Sequence, residues 1–147
     1  MKRTLGYASA VILFLSIFAG PGQAYESPVV TGTVWNITFV KTVEGMDDLY
    51  LEELRTGMKP IFEEAKKEGI ILSYRIFSSP AATPGDWNLM MMTEFENMAA
   101  LDGLEEKFIA IYERVVGADE DFEKGAARRN EIRQILGDKL AHELILK

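Results

Sequence analysis

Four side chains in this sequence could carry a proton or hold a developing charge if the fold brought them together: His142, Tyr74, Asn36 and Arg75. His142 is the sole histidine, and an imidazole, with its ordinary pKa of about 6.5, is the side chain best suited to move a proton at neutral pH. Tyr74 is a second proton carrier. The Asn36 amide and the Arg75 guanidinium are donors able to stabilise an oxygen that takes up negative charge. Around them stand Trp35, Tyr50, Trp87, Asn88 and Met91, side chains that suit the wall of an apolar pocket with a few polar groups. Each also has a plainer explanation, because aromatic residues in sheets mostly pack with a polar tip satisfied nearby.

Other chemistries lack their residues. The chain has no cysteine and one histidine, so a zinc site would need a nearly all-carboxylate ligand set that zinc seldom uses. The acidic clusters Asp47-Asp48 and Asp119-Glu120-Asp121 stand where helices start, where carboxylates complement the helix dipole. Haem ligation would need His142 on a pocket wall with a second group holding its other nitrogen. Gly103, Gly117, Gly125 and Gly137 are scattered, without the strand and glycine-rich turn that cradle a phosphate. No metal and no cofactor is expected.

A net charge of −7 argues against nucleic acid, since a polyanion partner requires a basic footprint. Arg128, Arg129 and Arg133 share a helix with Glu123 and Glu131 and read as a salt-bridged surface. The opening MKRTLGYASAVILFLSIFAGPGQA has two basic residues, an apolar run and a small-x-small ending at Ala24, the three parts of a secretory leader. Residues 1–24 are therefore expected to be a removed signal peptide. That leaves one domain at 25–147, periplasmic or secreted and not held in a membrane after cleavage. A composition 48% hydrophobic and 27% charged in 147 residues fits one globular domain.

Periodicity supplies the elements that must position the candidates. GTVWNITFVKTV, 32–43, alternates with Trp35, Ile37 and Phe39 on one side and Val34, Asn36, Thr38 and Val40 on the other, which predicts a strand. After Glu44-Gly45, the residues Leu51, Leu54, Met58, Ile61 and Ala65 recur at helical spacing. Pro60 should kink or split that helix, and Gly69 should end it. IILSYRIFSS, 70–79, is a second strand, with Tyr74 and Arg75 on opposite faces. The short SPAATPGD link makes a hairpin to DWNLMMMTEF, 86–95. Trp87, Leu89, Met91, Thr93 and Phe95 face one way there and Asn88, Met90, Met92 and Glu94 the other. With both faces apolar in the middle, that strand should be central and covered twice. The methionines fit this role, since an unbranched thioether fills irregular gaps. Asn97 is a helix cap before 98–117, an additional charged helix runs to Gly137, and DKLAHELILK is the last strand.

This is a split βαββαβ α+β order with an extra helix before the final strand. Helices can cover one face of such a sheet, and a second copy of the chain is expected to cover the other. The strand VWNITFVK, the kinked helix LEELRTGMKPIFEEAKKEGIILSYRIF, the strand and cap DWNLMMMTEFENMAAL and the closing RNEIRQILGDKLAHELIL together resemble the dimeric α+β-barrel group of the ferredoxin-like fold, from about Thr33 to the end. The resemblance implies a homodimeric barrel with a pocket; members include cofactor-free monooxygenases, isomerases, haem-binding enzymes and proteins of no known activity. The leading expectation is an exported homodimer binding a small, mostly apolar or aromatic molecule. Two alternatives stand beside it. One is a cofactor-independent monooxygenase or isomerase using His142 or Tyr74 as proton carrier and Asn36 or Arg75 as oxyanion partner. The other is a structural or interaction protein with a solid dimer interior.

Overall fold

A computed structural model describes residues 26–117 and 119–147, the side chains of 119–123 and 126 excepted. The expected signal peptide lies outside the described residues. Strand β1 (Val29–Thr42) leads to α1 (Asp47–Glu53), a π-helical segment (Leu54–Met58) and α2 (Lys59–Lys67). Strands β2 (Ser73–Ser78) and β3 (Leu89–Phe95) follow, then a 3-10 turn (Met98–Leu101), α3 (Leu104–Val115), α4 (Asp119–Ile132) and β4 (Arg133–Leu146). The strands form one antiparallel sheet in the order β2-β3-β1-β4.

Local chemistry explains most element ends. Pro60 splits the helix as expected: it falls in the first turn of α2, where its missing N–H leaves no bond unmade. The turn before it is widened, with the Lys59 N–H reaching back five residues to the Leu54 carbonyl. Gly69 takes φ of 71°, a conformation that favours glycine, and the Ile70 N–H closes α2 on the Ala65 carbonyl at 2.9 Å. The Asn97 side chain accepts the Ala100 N–H at 3.1 Å. It caps only the 3-10 turn, because Gly103 at φ 62° separates that turn from α3.

Two expectations are corrected. The sheet is not closed into a barrel, so the dimeric α+β-barrel assignment does not hold. β4 pairs with β1 on one side, β2 pairs with β3 at the opposite end, and the outer edges of β2 and β4 do not meet; four strands are too few to curl onto themselves. The extra helix also stops at Ile132 instead of Gly137. Arg133, Gln134 and Ile135 join the ladder opposite Thr42, Lys41 and Val40, and the Val43 N–H bonds the Ile132 carbonyl at 2.9 Å. Pairing along the whole of β1 thus overrides the helical pattern of RQIL.

Among the described residues, the helices pack on one side of the sheet. Val34 and Phe95 join Ala65, Ile71 and Ile111 in one buried cluster, and Val40 and Leu89 join Tyr50, Leu54 and Ile132 in a second. Alternation sends the intervening residues to the other side. Cross-strand register sets Arg75, Met92, Ile37 and Lys139 in one row there, with Phe77, Met90, Phe39 and Gly137 in the next.

Candidate functional site

Among the described residues, the second side of the sheet is the apolar, helix-free face that the alternation of the strands predicts. Trp35, Ile37, Phe39, Met90 and Met92 are only half-buried, and Phe77 is 43% exposed. Its polar groups stand around the apolar middle. The Arg75 guanidinium lies 5.4 Å from the centre of the Trp35 ring and the Lys139 ammonium 5.7 Å from that of Phe39, distances at which a cation is attracted to an aromatic face. Toward one end of the strands, the Glu94 carboxylate accepts hydroxyl bonds from Ser73 at 2.5 Å and Thr33 at 2.9 Å.

A recess opens at the β4 margin of this face. It has a volume of about 300 Å³ and is lined by Phe39, Trp87, Leu136, Gly137, Asp138 and Lys139. Its origin is a bulge: Phe39 pairs with Gly137 but Val40 pairs with Ile135, so Leu136 is one residue too many for the ladder. Bulges re-aim side chains and bend the strand that carries them. The Phe39 and Trp87 rings meet at 5.9 Å with a 56° tilt, forming an aromatic corner above the glycine.

The candidates named from sequence are divided between environments. Asn36, Tyr74, Met91 and His142 lie on the helix side of the sheet, and Tyr50 packs there from α1. Tyr74 sits in the same cross-strand row as Asn36, with Thr93 between them, while His142 is opposite Val34 and exposed. The Tyr74 hydroxyl donates to Glu63 at 2.7 Å. Burial, helped by that carboxylate, pushes its pKa up to about 12, so it keeps its proton throughout the neutral range. Tyr50 is fully buried and donates to Met91 Sδ at 3.6 Å. Burial raises its pKa against the opposing pull of Arg133 and Arg129, and the Arg133 guanidinium lies 5.5 Å from its ring centre.

Arg75 and Trp35 occupy the opposite face, so Arg75 is separated by the sheet from the other three acid–base candidates. Asn88 is fully engaged at the end of β1. Its carbonyl accepts the Thr42 N–H at 2.9 Å and its amide donates to Thr42 Oγ1 and Asp47 Oδ1 at 2.5 and 2.7 Å. Trp87 alone of the candidates lines the recess, and it is not on the side of Leu89 and Met91 as expected: those two face the helices, whereas Trp87 precedes β3 and its ring meets Phe39 on the open side. Phe39, Leu136, Gly137 and Lys139 were not among the residues singled out from sequence. Alternation along β1 could have added Phe39 to Trp35, but Gly137 reads as a helix stop until its pairing with Phe39 is known. Among the described residues, no three His, Asp or Glu side chains gather as a metal ion would need.

No family model and no curated protein matches the sequence. Several solved structures are similar in fold, two of them as follows. One is a dimeric ferredoxin-like protein from an uncultured marine organism, 8% identical, with a TM-score of 0.51 over 80% of this chain and 90% of that one. The other is a nipsnap family protein with unknown function from Agrobacterium tumefaciens, 13% identical, with a TM-score of 0.50 over 79% of this chain and 90% of that one. The chain has a ferredoxin-like fold. At such identities the likeness is one of architecture.

Proposed function

We propose that the protein is exported and acts as a homodimer, two copies covering each other's open sheet faces, and that the protected apolar surface binds a small, mostly apolar or aromatic molecule. The observation that carries this is the apolar middle of that face, Trp35, Ile37, Phe39, Met90, Met92 and Phe77, with no helix against it among the described residues. Water against such a surface is unfavourable by about 25 cal/mol for each Å², and large contiguous apolar patches mark association sites. β3 is seven residues long and β1 and β4 are 14. With strands about 4.8 Å apart rising about 3.3 Å per residue, the face measures several hundred Å², the scale of the roughly 800 Å² that each partner brings to a specific interface.

Charge supports a second copy in particular. Glu94 and Glu143 lie toward one end of the face and Arg75 and Lys41 toward its middle and other end, so a two-fold axis lying between the two sheets and running across the strands sets acidic rows over basic ones. The dimeric state of the similar marine protein agrees with this. Export rests on the leader-like residues 1–24 and places the dimer in the periplasm or outside the cell. The acid–base alternative gains no comparable support, because Arg75 faces away from His142, Asn36 and Tyr74.

Sedimentation tests the assembly. The protein should be a dimer at micromolar concentration, and Ile37→Glu should be a folded monomer, because a carboxylate would be buried without a partner. A parent protein that sediments as a monomer there would end the proposal. A dimer that takes up no small apolar probe would favour the solid-interior alternative.

A further inference from the structure

We propose that the recess between β1 and the β4 bulge is a site for a small aromatic carboxylate, its ring against Phe39 and Trp87 over Gly137 and its carboxylate paired with Lys139. This rests on the proposed binding of an apolar molecule at the open face and adds where that molecule sits and what charge it carries.

The space is built in by the backbone. Each neighbouring row of the face has a side chain at its β4 position, Lys139 opposite Ile37 or Gln134 opposite Lys41, but opposite Phe39 the register places Gly137. A Cβ added there would meet nothing within 4 Å, so the gap beside the Phe39 ring is open and not filled from elsewhere. A volume of about 300 Å³ is at the small end of ligand pockets, which run from roughly 300 to 1,000 Å³. It therefore favours an occupant of one or two rings. Aromatic walls bury a ring well, through both area and edge or face contacts.

Lys139 supplies the selectivity. Its ammonium rests near the Phe39 ring, and no carboxylate pairs with it among the described residues. Asp138, though adjacent, does not neutralise it. Successive residues of a strand point to opposite faces, and the Asp138 carboxylate accepts the Thr38 hydroxyl at 2.5 Å on the helix side. A ligand carboxylate would replace a weak cation–ring contact with a charge-assisted hydrogen bond, the stronger of the two. The chain as a whole is acidic and repels anions at long range, so attraction has to be local. A single lysine in the lining suits a carboxylate better than a phosphate, whose three oxygens call for several cationic donors.

Calorimetric titration of the purified protein with 2-naphthoate and with the uncharged 2-naphthamide tests this, with sedimentation of each sample in parallel. The acid should bind about tenfold or more tightly than the amide, and Lys139→Met should erase that margin while leaving the amide within about threefold. Gly137→Val should abolish binding of both by filling the gap. Trp87→Ala, which changes no strand position, should weaken both if the valine variant does not fold. Equal affinity for acid and amide, unchanged by Lys139→Met, would overturn the carboxylate assignment and leave apolar binding standing. Binding that survives both Gly137→Val and Trp87→Ala would put the site elsewhere. Failure of the parent protein to bind either probe would overturn this site together with the apolar-ligand reading on which it rests.

Discussion

The two sides of β1 carry apolar side chains in alternation, yet they meet different fates. On one side, Val34 and Val40 are 1% and 0% exposed beneath the helices. On the other, Trp35, Ile37 and Phe39 stay half-buried, with no helix over them among the described residues. One face is therefore completed within the chain. The other has hydrophobic free energy still to gain, so in the proposed dimer the stability of the single chain and the association between chains would depend on separate sets of residues.

The largest effect belongs to the covered side. Ile111 is 1% exposed where α3 meets Val34 and Phe95, and Ile111→Ala should cost about 2–5 kcal/mol in urea unfolding, whatever the protein concentration. The same truncation on the open side should behave otherwise. Ile37→Ala should cost about 1 kcal/mol per subunit when dimers prevail and much less after dilution to monomer. Melts at two concentrations separate the cases. A concentration-independent loss of several kcal/mol at Ile37 would show that the open side is filled from within the chain and erase the contrast.

The smallest effect concerns the rim of the covered side. The Tyr74 phenol titrates at about 12 when folded against an ordinary 10.0, so the unfolded chain loses this proton first. Its contribution to stability is complete below pH 10 and drains away as pH rises toward 12. In Tyr74→Phe the part of the alkaline decline due to this residue should vanish, with a neutral-pH change of about 1 kcal/mol or less from the lost Glu63 bond. Alkaline unfolding curves that superimpose after subtracting that offset would show that the hydroxyl is solvated and not held.

Features set by neighbours along the chain were legible without coordinates. The β2–β3 hairpin follows from two apolar runs joined by a link too short for a helix. Pro60 had to break its helix because its ring excludes a normal interior turn, and Asn97 had to cap because its side chain can accept a freed N–H. The positions of Trp35 and Arg75 on one side and Asn36 and Tyr74 on the other follow from alternation once the register is known. The closed barrel was a different sort of expectation, drawn from element order alone, and element order does not say whether edge strands meet.

Residues around the recess escaped for a related reason. RQILG has a helix-compatible pattern and a glycine stop, and the length of β1 draws it into a strand that begins opposite Thr42. That capture inserts Leu136, brings Gly137 beside Phe39 and turns Lys139 onto the open face.

Sequence by itself determined which stretches are apolar on two sides, where helices break and which side chains share a strand face, because those depend on steric and hydrogen-bonding choices within a few residues. Tertiary structure alone decided where α4 yields to β4, which glycine leaves a gap beside an aromatic ring, and which face of the sheet goes uncovered. These depend on the register between β1 and β4, more than 90 residues apart, and one step of that register exchanges the two faces of a strand.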